Sequence, residues 1–370
     1  MRITLISKAC IVGAYQRKLE EIAAHDDVHL TVVVPPFWRE GQRVSVLERA
    51  HVRGYELIVA PLALNGHFHL HFYPSLARIL RRTRPDLVHI DEEPYNLATY
   101  LALKATRRMG TQALFFTWQN IFRRYPPPFC WFEQYVHRHS AGAIAGNVEA
   151  AEVLRAKGFR GPLRIIPQFG IDPELFAPME RPVGREFTVG YAGRLVAEKG
   201  LLTLIEALAL LGGHWRFLVC GAGPLRQEME TRLGHLALLG RVEFRGQVPS
   251  AQMPEWYRQM DVLVLPSRTQ PNWKEQFGRV LIEAMACGVA VIGSDSGEIP
   301  NVIGEAGLVF PEGDAQALAN LLATLRDNPD QRQDLARRGR RRVLDHFTQA
   351  RIAAETVDFY RSLVGARQAC

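Results

Sequence analysis

The chain has 370 residues, of which 47% are apolar and 22% charged; the length suggests two domains and the balance is that of a soluble globular protein. These values exclude a disordered chain, a collagen-like repeat and a small disulfide-stapled scaffold. Residues 1–178 hold 22 basic and 16 acidic side chains and residues 179–370 hold 23 and 22, so most of the net charge of +7 belongs to the first half.

Short apolar runs alternate with longer helical patterns along the whole sequence. The first half reads as strand 3–7, helix 15–24, strand 29–34 closed by Pro35-Pro36, strand 57–60 and helix 73–84. Pro85-Asp86 leads into strand 87–90; helix 95–109 ends at Gly110; strand 112–117, helix 129–139, strand 143–145, helix 150–157 stopped by Gly158, and strand 163–166 follow. A cluster of turn formers, Pro167, Gly170, Asp172-Pro173, Pro178, Pro182 and Gly184, marks a linker. The rhythm then restarts: strand 187–191, helix 201–211, strand 215–220, helix 224–238, strand 241–244, helix 253–259 and strand 262–265. A helix beginning near 278, strands 290–292 and 307–310, and helices 315–326, 331–347 and 350–364 complete the chain. Strands alternating with helices specify parallel sheets covered on both faces, hence two doubly wound α/β domains. The domain boundaries read as 1–178 and 179–349, and ligands are expected outside the carboxyl ends of the strands, in the cleft between the domains.

Cys10, Cys130, Cys220, Cys287 and Cys370 are scattered, with no C-x-x-C pair. That argues against a disulfide framework and a structural zinc site and fits a reducing cytoplasm. No segment reaches the roughly 18 apolar residues of a membrane helix, and the apolar part of the start is too short for a secretion signal. The basic first half suits an anionic partner, either the inner membrane face as a peripheral contact or a charged acceptor, and equally a solvated face. Without a helix-turn-helix, zinc finger or RNP-type pattern, no nucleic-acid partner is expected. The dense run Arg337-Arg338-Gly339-Arg340-Arg341-Arg342 reads as a solvated helix face.

Three features of the second half carry chemistry. In Gly190-Tyr-Ala-Gly193-Arg194-Leu-Val-Ala-Glu198-Lys199-Gly200, a strand runs into a glycine turn and two cations. An arginine fork and a lysine point charge beside a strand end suit a diphosphate, and also suit solvent. Cys220-Gly221-Ala-Gly223-Pro224 has part of the G-x-G-x-x-G form, compatible with a purely structural turn. In Pro266-Ser267 followed by Glu275-Gln-Phe-Gly278-Arg-Val-Leu-Ile-Glu283-Ala-Met-Ala-Cys-Gly288, a loop carboxylate precedes a helix N-terminus whose unpaired N–H groups favour phosphate. Carboxylates also accept hydrogen bonds from a sugar diol.

Taken together, Arg194-x4-Lys199, Glu275-x7-Glu283 and Gly288 resemble the retaining GT-B-fold glycosyltransferases of family 4, the glycosyl transferases group 1. The resemblance continues through Ser294-Asp-Ser-Gly297-Glu-Ile-Pro300, Gly307-Leu-Val-Phe-Pro-Glu-Gly313 and the interdomain-like segment Ile166-Pro167-Gln168-Phe-Gly170-Ile-Asp172 with Phe176. It implies two Rossmann-like domains facing across a cleft, with the last helix, about 350–370, crossing back to the first domain. It also implies transfer of a sugar from a nucleoside-diphosphate donor, UDP preferred and GDP next, to an acceptor such as a lipid-linked sugar or saccharide, with retained configuration and no required cofactor. Arg194 and Lys199 would hold and stabilise the leaving diphosphate in place of a divalent metal, with Gly193 in their turn. Glu275 would bind donor sugar hydroxyls, helped by the amides of Phe277 and Gly278; those of Arg279 and Val280 would face the phosphates, and Glu283 would bind the ribose. The base would sit near Gly246-Gln247-Val248, and Gly13 would bring its backbone close to the phosphates.

Two departures stand out. Where the family often pairs glycines in the first loop, the chain reads Ile11-Val12-Gly13-Ala14; where it often has a histidine, the chain reads Thr117-Trp118-Gln119-Asn120. Gln119 or Asn120 would hydrogen-bond the donor sugar there, but neither is a base at neutral pH. A front-face mechanism tolerates this, because a leaving phosphate oxygen can take the acceptor proton. In His89-Ile-Asp91-Glu92-Glu93-Pro94, three acids leave a strand, and Glu92, Glu93 and Trp118 are expected on the acceptor side; a charge cluster for the following helix is the alternative. His67-Phe-His69-Leu-His71 alternates, so a strand there would put three histidines on one face, open to a metal, an acceptor contact or a plain polar loop. Arg123-Arg124-Tyr125-Pro126-Pro127-Pro128-Phe129 reads as a lipid-touching or simply rigid loop. The rival readings are a nucleotide-sugar epimerase on the same fold and a non-catalytic nucleotide-sugar-binding partner.

Overall fold

A computed structural model describes the chain apart from residues 42, 180–183, 185 and 369–370; Pro182 of the linker cluster and Cys370 lie outside the described residues. The chain divides into two compact units, Met1–Gly170 with Gln349–Cys370, and Ile171–Thr348. The passage into the second unit therefore lies upstream of the Pro178 boundary read from the turn formers.

The strands of the first unit are β1 (Arg2–Ile6), β2 (His29–Val34), β3 (Phe37–Glu40), β4 (Arg43–Val46), β5 (Glu56–Val59), β6 (Leu87–Ile90), β7 (Gln112–Thr117), β8 (Gly142–Ala145) and β9 (Leu163–Ile165). Seven of them form one parallel sheet in the order β5-β2-β1-β6-β7-β8-β9. Alternation along each strand divides the core in two. Ile3, Leu5, Val32, Leu87, Leu114 and Ile144 face helix Gly13–Ala23 and the final helix Gln349–Gln368, which contributes Ile352, Val357 and Tyr360. Ile6, Val33, Val88, Phe115 and Ala143 face the other way, onto helices Leu76–Thr83, Leu97–Arg108, Phe129–His139 and Val148–Ala156. Where the chain leaves and re-enters this unit, the Gln349 amide brackets Gly170, accepting from its N–H at 3.1 Å and donating to its carbonyl at 2.9 Å.

The second unit contains β10 (Phe187–Ala192), β11 (Trp215–Cys220), β12 (Val242–Gly246), β13 (Val262–Leu265), β14 (Ala290–Ser294) and β15 (Leu308–Phe310), parallel in the order β12-β11-β10-β13-β14-β15. One face packs Val189, Tyr191, Phe217 and Val264 on helices Leu201–Leu210, Arg226–His235 and Ala315–Asp327. The other packs Ala192, Leu218, Leu263 and Val291 on helices Arg279–Ala286 and Pro329–His346. Both sheets reverse their winding beside the first strand of the unit, between β1 and β6 and between β10 and β13. These are the switch points where crevices form at the carboxyl ends.

Four readings change. β3 and β4 form an antiparallel hairpin where no strands were expected; its Val44 and Val46 are exposed and it pairs with neither sheet strand, so it lacks the buried alternation that announces a strand. A short helix, Ile299–Ile303, follows β14. Residues 64–66 and 68–70 are turns and no strand runs through 67–71, so the three histidines do not share a face: His67 is exposed, His69 half-buried and His71 buried. In the arginine run, Arg340 donates to the carbonyls of Phe176 at 2.6 Å and Ala286 at 2.7 Å, and Arg342 to those of Val302 and Asn301. These two side chains satisfy helix-end and loop carbonyls that would otherwise be orphaned, rather than facing only solvent.

Candidate functional site

At the switch point of the second unit, the loop after β10 carries Gly193, Arg194 and Lys199. Gly193 has φ +145° and donates its N–H to the Cys220 carbonyl at 3.0 Å. The glycines of Gly221-Ala-Gly223 are explained by this same contact. A Cβ on Gly221 would run into the Gly193 carbonyl, and one on Gly223 into that of Leu195. That turn is therefore a packing device between two loops. Tyr191, fully buried, donates its hydroxyl to the Arg194 carbonyl at 2.7 Å, and the Arg194 side chain, 68% exposed, reaches Glu198 at 3.7 Å.

Lys199 Nζ lies 2.5 Å from Glu275 Oε2, and the Ser267 hydroxyl donates to the same oxygen at 2.7 Å. Ser267 is in turn fixed by Ser294, whose hydroxyl donates to its carbonyl at 2.6 Å. Gly297 crosses close over the Glu275 backbone, and Glu298 N–H donates to the Glu275 carbonyl at 3.1 Å. The strand ends after β10, β13 and β14 thus converge on one carboxylate. Gly278, with φ +75°, precedes helix Arg279–Ala286; the amides of Arg279 and Val280 lie in the first turn, at the positive end of the helix dipole. One turn further, Glu283 is buried, accepting from the Tyr257 hydroxyl at 2.7 Å and pairing with Arg279 at 2.8 Å. Burial together with the Glu283 charge pushes the Tyr257 phenol well above its ordinary range, so it stays a donor. Phe277 and Val280 are partly buried against the second core of this unit, as is Val248, whereas Gln247 is exposed beyond the β12 terminus.

At the switch point of the first unit, the three acids are separately committed. Asp91 accepts from Ser7 at 2.6 Å and Gln168 at 2.9 Å, and burial, opposed by Lys18, raises its pKa. Glu92 pairs with Lys8 and faces His71 at 3.5 Å. Burial pushes this carboxyl up, but Lys8 and His71 outweigh it and hold it down to about 2. Glu93 accepts from the Thr117 hydroxyl at 2.7 Å and Trp118 N–H at 2.8 Å, and burial lifts it to about 7. The following helix begins at Leu97 with no acid in its first turn, so the acids do not serve its dipole.

Gly13 is the first residue of its helix rather than a loop residue, and its N–H is taken by Glu48 Oε2 at 2.6 Å. A Cβ there would meet Glu48 and Ala50. Trp118 is half-buried, donating from Nε1 to Gln168 at 2.9 Å and lying over Gly146. Gln119 bonds Tyr125 at 3.2 Å and Lys157 at 3.1 Å; Asn120 donates to Glu149 at 3.3 Å. No local pattern marks Tyr257, Lys8 or Glu48 as partners, whereas Ser267 belongs to the Pro266-Ser267 turn ahead of Glu275. Among the described residues no group of three or more His, Cys, Asp and Glu side chains is arranged to hold a metal ion, and no helix is long and apolar enough to cross a membrane.

Comparison with known proteins agrees with this architecture. The family model described as Glycosyl transferases group 1 matches residues 176–342, and that described as Glycosyltransferase Family 4 matches residues 17–175. Alpha-maltose-1-phosphate synthase of Mycolicibacterium smegmatis is 29% identical over 211 residues, 53% of this chain and 52% of that protein. The chain thus spans about half the length of the first curated relatives it matches. Among solved structures, sucrose-phosphate synthase from Thermosynechococcus elongatus superposes with a TM-score of 0.74 at 24% identity, covering 99% of this chain and 100% of that one. Anabaena HepE in complex with UDP gives 0.75 at 19% identity, covering 98% and 99%. With two α/β units of this topology and two family models that between them span residues 17–342, the chain belongs to the GT-B-fold glycosyltransferases of family 4, the glycosyl transferases group 1.

Proposed function

We propose that the chain transfers a sugar from a nucleoside diphosphate, UDP before GDP, to a hydroxyl of a lipid-linked or saccharide acceptor, with retention of configuration. The observation that carries this reading is the convergence of Lys199, Ser267 and Glu275 just ahead of the N-terminus of helix Arg279–Ala286, at the switch point of the second unit. The structural neighbour HepE is described with UDP bound, which supports the choice of nucleotide.

In this reading the helix N-terminus and Lys199 receive the diphosphate, and the exposed Arg194 closes on it as a forked cation. Both cations stabilise charge that grows on the leaving phosphate oxygen as the glycosidic bond breaks. Glu275 is positioned by Ser267 and Lys199 and orients the sugar through its hydroxyls; Glu283, held by Tyr257, accepts from the ribose. The leaving phosphate oxygen takes the acceptor proton, which suits a chain with glutamine and asparagine at 119 and 120. Phe122, 50% exposed, directly precedes the exposed Arg123 and Arg124, and this pairing of an apolar with two basic side chains supports a peripheral contact with an anionic membrane face.

The test is calorimetric titration of the protein with UDP, GDP, ADP and the UDP- and GDP-sugars, with EDTA throughout. Selective binding of one nucleotide without metal is expected. No binding of any of them, with or without candidate acceptors, would refute the donor site.

A further inference from the structure

One member of the donor-side cluster has no role in that scheme. Between Ser267 and Glu275 the chain makes a tight turn, Gln270-Pro271-Asn272-Trp273. Gln270 N–H donates to the Trp273 carbonyl at 2.8 Å, and Trp273 N–H donates back to Gln270 at 3.2 Å. Pro271, fixed near φ −65°, favours the second position of such a turn, and the tip at Pro271 and Asn272 is exposed. The turn sets the half-buried Trp273 indole over Lys199, with Nζ 5.0 Å from the ring centroid.

The Lys199 ammonium is thereby bounded on two sides, by Glu275 Oε2 at 2.5 Å and by the indole face. Its side chain keeps 14% exposure, so the charge reaches a ligand only from what remains. A lysine stem is flexible, and its ammonium has no directional fork of its own. An ion pair alone would let it swing around the carboxylate, whereas a π face attracts the cation from a second direction and restricts it. The ring also walls off water, which strengthens the charge–phosphate interaction.

We infer that Trp273 is a positioning residue for Lys199, holding its ammonium toward the sugar-side phosphate of a nucleoside diphosphate. The inference rests on the donor reading above. It predicts a selective effect: removing the ring weakens recognition of the second phosphate and leaves recognition of the nucleoside and first phosphate intact.

The experiment titrates UDP and UMP into the full chain carrying Trp273→Leu, Trp273→Phe, Lys199→Ala, and Lys199→Ala with Trp273→Leu. Trp273→Leu should lower UDP affinity by roughly three- to tenfold and UMP affinity by less than about twofold, while Trp273→Phe, which keeps a π face, stays within about twofold of wild type for both. In the Lys199→Ala background, Trp273→Leu should add nothing further, because the partner is gone. Equal losses for UDP and UMP in Trp273→Leu would overturn the inference by showing general damage to the turn. So would an undiminished Trp273→Leu effect in the absence of Lys199. A Lys199→Ala protein that keeps the wild-type ratio of UDP to UMP affinity would instead sink the donor reading of Lys199 itself.

Discussion

Gly200 links the stability of the second unit to its site. It lies at φ +65°, between the turn that ends in Lys199 and helix Leu201–Leu210. Replacing it with alanine has two costs. An alanine in the left-handed region loses roughly 1–2 kcal/mol. Its Cβ would also stand 1.8 Å from the Pro266 carbonyl oxygen, whereas real Cβ atoms stay beyond 3.0 Å, so the two main chains must separate by about 1 Å. Overpacking of that kind costs about 1–3 kcal/mol, giving a total of about 2–5 kcal/mol. Gly246 is the internal control: φ is +68° and nothing lies within 4 Å of a Cβ there, so Gly246→Ala bears only the first term. Urea unfolding of the two variants, compared by midpoint at unchanged slope, measures the difference. The displaced chain continues into Ser267, which anchors Glu275. Glycosyl transfer by Gly200→Ala should therefore fall by about a hundredfold at a temperature where the protein remains folded. A Gly200→Ala protein no less stable than Gly246→Ala would refute the steric argument.

Three further outcomes are expected. Tyr257→Phe removes a buried donor from Glu283 and should cost about 1–2 kcal/mol of stability with a severalfold loss of UDP affinity; unchanged urea unfolding would show that the bond contributes nothing. Burial lifts the Glu93 carboxyl to about 7, so its stabilising contribution is complete below the ordinary carboxylate range and is lost as pH rises through about 7. The melting temperature of Glu93→Gln relative to wild type should accordingly rise by roughly 5–10 °C between pH 5 and pH 8, and a pH-independent difference would exclude the shift. Asp314 caps helix Ala315–Asp327 by accepting from Ala317 N–H at 2.8 Å; Asp314→Ala should cost about 1 kcal/mol and Asp314→Asn should restore most of it, and equal losses in both would refute the cap.

The sheets were legible because their strands are short apolar runs buried on both faces, as Leu87–Ile90 and Val262–Leu265 are. The hairpin β3–β4 was not, because it buries no continuous face. The charged groups of the candidate site, Arg194, Lys199, Glu275 and Glu283 above all, stand out in the sequence by type and spacing. Their supports did not: Tyr257 is 26 residues from Glu283, and nothing in its local pattern distinguishes a carboxylate partner from an ordinary core tyrosine. Gly221 and Gly223 show the converse problem. A phosphate-binding glycine and one that lets two loops touch look alike in sequence, and only the neighbouring carbonyls separate them.

The final helix has a consequence for synthesis. Ile352, Ala353, Val357, Phe359, Tyr360 and Leu363 complete one face of the sheet made by the first strands of the chain, and Gly142 lies so close beneath that a Cβ would strike Phe359 and Leu363. On the ribosome these residues emerge only after all of Ile171–Thr348. Domains usually fold in the order they are made, but here the later-made unit has its whole core in hand first. The earlier one waits with the part of this face that the final helix covers still open, and helix Gly13–Ala23 alone over the rest, so apolar surface stays exposed in the nascent chain until the last residues emerge.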